Sequence, residues 1–120
     1  MIGGRFRDGH PRITRILPGR SGAFEVECLV DTGFEGDVAP PVALARQLGP
    51  IPDGFSERML ADGSLYQCPY YLLSVESATG TREIEVLVLG IRPLVGTMFL
   101  YDHLLQIEVT EGGEVSAEPL

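Results

Sequence analysis

Asp31-Thr32-Gly33 follows directly on the apolar run Cys28-Leu29-Val30 and occurs once in the 120 residues. A carboxylate held on a turn at the end of a strand can act as a general base toward water. Hydrolysing an unactivated carbonyl, such as that of an amide, also needs a protonated acid to polarise the oxygen. One Asp cannot hold both protonation states at once. Chemistry of this kind needs a second copy of the motif from another chain, which makes a two-fold homodimer, with the two carboxylates meeting on its axis, the expected arrangement.

The elements that must position Asp31 are strands. Pro11 to Leu17 and Ala23 to Val30 form a hairpin leading into it, the second arm alternating Phe24, Val26 and Cys28 with Glu25 and Glu27. Pro40-Pro41 before Val42–Leu48, and Gly49-Pro50 after it, bracket a short helix. Asp62-Gly63, between the apolar arms Met59 and Leu65, marks a hairpin tip. Tyr70 to Glu76 and Arg82 to Leu89 continue as strands, with Leu87 and Leu89 suggesting burial on both faces at the end. Thr97 can cap a second short helix running to His103, and Leu104–Val109 with Val115–Glu118 close the chain as a hairpin. Seven or eight close-spaced strands predict an all-β domain over residues 11–120, curled into a closed or nearly closed antiparallel barrel with one or two short helices. Residues 1–10, with three glycines and no evident periodicity, are expected to be a flexible N-terminal arm.

The net charge of −8 argues against nucleic acid or an anionic membrane surface as a partner. No stretch reaches the roughly 20 apolar residues of a membrane span, and the first residues lack the apolar core of a signal peptide, so a cytoplasmic protein is expected. Cys28 and Cys68 match no zinc or redox spacing; alternation places Cys28 in the core. His10 and His103 have no ligand set around them, and no metal or other cofactor is expected.

Taken in order, the Asp31 motif, the Asp62-Gly63 hairpin and Leu94-Val95-Gly96 resemble the retropepsin-like aspartic proteases, in particular their small bacterial, single-lobe members. The resemblance spans about Pro11 to Val109 and implies an acid-protease fold and a homodimeric endopeptidase acting on peptide or protein substrates. It implies that Asp31 is the catalytic aspartate, that the Thr32 hydroxyl ties the two active-site loops together across the dimer, and that Gly33 lets the substrate backbone come close. Leu94-Val95-Gly96 matches the element beside the catalytic loop, with Gly96 in a supporting role, and Ala61, Asp62 and Gly63 fall at the tip of the flap over the substrate. Val38 and Leu94 are expected to line a pocket, from their separation in sequence from Asp31 and Gly96. The chain departs from the viral pattern in carrying Thr97 where those enzymes have an Arg, and in the bulkier Phe34 after the glycine. The alternative is a binding or scaffold module that keeps the dimeric geometry with little turnover.

Overall fold

Alternation decides where the strands fall. In the computed structural model, which describes residues 2–19, 22–59, 62–77, 80–89 and 92–120, ten strands share one sheet. They are β1 (Ile2–Arg7), β2 (His10–Leu17), β3 (Phe24–Val30), β4 (Val38–Ala39), β5 (Gly54–Met59), β6 (Leu65–Ser77), β7 (Gly80–Leu87), β8 (Leu94–Val95), β9 (His103–Ile107) and β10 (Glu114–Pro119). Their spatial order is β5-β6-β7-β4-β8-β3-β2-β1-β10-β9. The inward residues of β2 and β3 (Ile13, Leu17, Val26 and Cys28) join those of β6 and β7 (Tyr71, Val75, Ile84 and Val86) in one core, so the sheet curls over on itself.

Three expectations need correction. The sheet is open: β5 and β9 are its edges, and no ladder joins them among the described residues. Closing a barrel requires the last strand to pair with the first across the gap. Here the C-terminal hairpin, β9 on β10, instead extends the sheet outward beyond β1.

The second correction concerns the N-terminus. Residues 2–7, expected in the flexible arm, are an interior strand, paired to β10 through Ile2↔Ala117 to Arg5↔Glu114 and to β2 through Gly4↔Ile13 to Arg7↔His10. Alternation is present in β1, with Ile2, Gly4 and Phe6 on the less exposed face, but a glycine at its centre hides it from a count of apolar residues. That glycine is required by the packing, because a Cβ on Gly4 would stand 1.8 Å from the Arg12 carbonyl oxygen.

The helices are also less regular than expected. Val42–Gln47 is a 3-10 helix, with Leu44 N–H donating to the Pro41 carbonyl (2.9 Å) and Leu48 N–H to that of Ala45 (3.0 Å). After Gly96 the chain forms consecutive turns rather than a helix, and Asp102, at φ 62°, stops them before β9. No helix among the described residues is long and apolar enough to cross a membrane.

Candidate functional site

The Asp31 loop is held by a strand threaded between its two ends. β8 runs parallel to β3 (Leu29↔Leu94, Val30↔Val95) and antiparallel to β4 (Val38↔Val95, Ala39↔Leu94). The strand entering the loop and the strand leaving it thus flank the same two residues. β4 and β8 are each only two residues long, and what keeps them in the sheet is the full burial of Val38 and Val95, worth about 1.5–3 kcal/mol per side chain.

Main-chain bonds continue the lacing past the strands. Asp31 N–H donates to the Val95 carbonyl (3.0 Å), Gly96 N–H to that of Asp37 (2.9 Å), Thr97 N–H to that of Phe34 (2.9 Å) and Met98 N–H to that of Gly36 (3.2 Å). Gly96 is therefore pressed against the loop, and a Cβ there would lie 2.3 Å from the Gly36 oxygen and 2.4 Å from the Phe34 oxygen. Leu94-Val95-Gly96 and Asp31-Thr32-Gly33 meet as one unit.

Within the turn, Gly33 N–H donates to Asp31 Oδ1 (2.9 Å) and Phe34 N–H to the Asp31 carbonyl (3.1 Å). One carboxylate oxygen locks the turn in the manner of an Asx cap. Among the described residues, no protein group bonds Asp31 Oδ2 or the Thr32 hydroxyl. Asp31 is half-buried, and Thr32 and Gly33 are exposed.

Leu94 and Val38 part company. Alternation sends Val95 and Val38 into the main core and Leu94 to the opposite face, where it packs with Phe34, Tyr70 and Leu89 against Ala39, Cys68 and Leu87. Leu94 stays partly exposed beside the Asp31 turn, whereas Val38, expected to line a pocket, is 0% exposed. The same second cluster explains why Val86, Leu87 and Val88 are all buried in succession: the end of β7 is covered on both faces.

Beneath the loop lies a pair that the sequence reading missed. Asp37, 7% exposed, accepts from Arg82 Nη2 at 2.8 Å through Oδ1 and from Glu85 N–H at 3.0 Å through Oδ2. Arg82 also donates to the Met98 (2.8 Å) and Phe99 (3.2 Å) carbonyls, so one guanidinium ties the end of the Asp31 loop to the turn after Gly96. Arg82 and Arg15 both lie over the Phe99 ring, at 5.3 and 4.7 Å. Burial lowers the pKa of Arg15 and pushes the neighbouring Cys28 thiol up to about 12. Nothing local foretells a pair 45 residues apart; the one available hint was a charged residue, Asp37, directly before an apolar pair.

The β5–β6 hairpin ends in the expected Asp62-Gly63 turn. Asp62 Oδ1 accepts from the Ser64 hydroxyl (2.5 Å) and the Ser64 N–H (2.9 Å), which holds its carboxyl below the usual range, and Gly63 takes φ +85°. Ala61 lies outside the described residues. Phe55, Met59 and Leu65 are exposed along the arms. Comparison with family models, curated proteins and solved structures gives no match for this chain.

Proposed function

We propose that this protein is a cytoplasmic aspartic endopeptidase of the retropepsin-like kind, working as a homodimer in which each protomer supplies one Asp31. The observation that carries the reading is the threading of β8 between β3 and β4, which fixes a lone, partly exposed carboxylate on a rigid turn. Rigid placement of this sort is what general acid–base chemistry needs and what a turn-capping Asp alone does not. The unbonded Thr32 hydroxyl and Asp31 Oδ2 supply the groups through which a second copy would engage.

In the dimer, two carboxylates close together hold a single proton between them. The ionised Asp31 takes a proton from water as the water oxygen attacks the scissile carbonyl carbon, and the partner's Asp31 gives its proton to the carbonyl oxygen. Collapse of the tetrahedral intermediate breaks the C–N bond, with a proton passing to the leaving amine. Leu94 and Phe34 form an apolar wall for residues flanking the cut, and the β5–β6 hairpin closes over an extended peptide. Because the working form is singly protonated, activity is expected to peak on the acid side of neutrality.

Asp31→Asn tests the proposal. Cleavage of an unstructured protein substrate should vanish while the circular dichroism spectrum and sedimentation coefficient stay those of the wild type. Unchanged cleavage would remove Asp31 from the chemistry, and a cleavage-inactive wild type that still dimerises would favour a scaffold module.

A further inference from the structure

On the same sheet face as the Asp31 turn, a cavity of about 260 Å³ opens between the start of β2 and the approach to β8. Its apolar side is Leu29 and Pro93, joined by the bond from Leu29 N–H to the Pro93 carbonyl (2.9 Å). Leu29 stands two residues before Asp31, about 7 Å along the strand and on the same side. The β2–β3 ladder ends at Arg12↔Leu29, and the next residue of β2 on that side, His10, also lines the cavity.

The polar side of the cavity carries Arg12 and Arg92 against Asp8 and Glu27, equal in number but unevenly paired. Glu27 is shared by Arg7 and Arg12, the latter at 3.5 Å, so its charge is more than matched. Asp8 brings one further negative charge, and Arg92 one positive charge. Arg92 has no carboxylate partner among the described residues: its Nη1 is 3.4 Å from His10 Nε2, a weak bond that requires the unprotonated ring nitrogen as acceptor. With Glu27 held by Arg7 and Arg12, Arg92 is the lining cation left without a carboxylate among the described residues, in a chain whose net charge is −8. An exposed guanidinium whose best side-chain partner is a ring nitrogen at 3.4 Å will exchange it for a carboxylate, which accepts a shorter, charge-assisted and often bidentate bond.

We infer, building on the peptidase reading, that this cavity is a specificity subsite that takes an acidic side chain of the peptide, within two residues of the scissile bond, with Arg92 as the residue that selects it. The aliphatic stem of a Glu lies on Leu29 and Pro93, and its carboxylate meets Arg92 at the rim. Overall negative charge repels polyacidic chains, so the preference is for one acid in an otherwise apolar or basic segment.

The test uses extended apolar peptides carrying a single Glu, or its isostere Gln, at each position in turn. Wild-type protein is assayed for cleavage and Asp31→Asn for binding by fluorescence anisotropy. One position should show about a tenfold preference for Glu in both assays, abolished in Arg92→Gln and turned toward Lys in Arg92→Glu. Arg92 is exposed, so these variants are expected to fold, which circular dichroism verifies. Cleavage that depends on Asp31 but treats Glu and Gln alike everywhere, or a Glu preference that survives Arg92→Gln, overturns the subsite and leaves the peptidase standing. Glu-selective binding that depends on Arg92, without cleavage by the wild type, does the reverse. Neither binding nor cleavage overturns both.

Discussion

Gly96 and Phe34 approach so closely that the Phe34 carbonyl oxygen would lie 2.4 Å from a Cβ on Gly96, while Thr97, the next residue, donates its N–H to that same oxygen at 2.9 Å. The space is bounded by backbone on both sides, so neither partner can swing away. Gly96→Ala should cost about 2–4 kcal/mol in urea unfolding and remove any cleavage activity, because the Asp31 loop must shift to accept the methyl group.

Asp37 and Arg82 support that loop from below, the carboxylate nearly buried and the guanidinium about a third exposed. Arg82→Met removes the cation and leaves Asp37 with only the Glu85 N–H, a loss of about 3 kcal/mol. Hydrogen exchange at the Gly96 and Met98 amides should quicken more than exchange in β1 or β10. Uniform acceleration across the sheet would count against a local role for the pair.

Removal of residues 1–7 should unfold the protein rather than trim it. β1 lies between β2 and β10, so its loss exposes two ladders and detaches the β9–β10 hairpin from the sheet. A cooperative, native-like melt of the truncated chain would show that β1 is dispensable.

The Cys28 thiol, raised to about 12 in the fold from an ordinary value of 9.0, couples folding to pH. Between those values the unfolded chain has lost the proton and the folded one retains it. Stability is therefore fully present below about 9 and falls as pH rises toward 12, by at most about 1.4 kcal/mol per pH unit from this group. Cys28→Ala should flatten the slope over that window in denaturant titrations, and native Cys28 should resist iodoacetamide at pH 8.

If both Asp31 copies serve one site, titrating wild type with excess Asp31→Asn should lower activity faster than dilution alone, as mixed dimers form with a single carboxyl. Specific activity of the wild type should rise with protein concentration until dimerisation saturates. Activity independent of both would place the chemistry within one chain.

The sequence by itself determined what depends on near neighbours. Strict alternation in Phe24–Cys28 gave β3 and the buried Cys28, Asp62-Gly63 gave a turn because only a residue tolerant of positive φ fits its second position, and the apolar run before Asp31 gave a strand ending at a carboxylate. The placing of Leu94-Val95-Gly96 beside the Asp31 motif came only as what the family resemblance implied, since nothing local in either segment specifies the other. Tertiary structure alone decided the rest. It put Val38 into the core and Leu94 outside it, because a two-residue strand has no alternation to read until its register with β8 is set. It made β1 an interior strand through a glycine whose backbone meets that of Arg12, and brought Arg82 under Asp37 across 45 residues of chain. It also left the sheet open, since whether edge strands meet depends on the summed twist and pairing of all ten strands, a quantity that no local stretch of sequence carries.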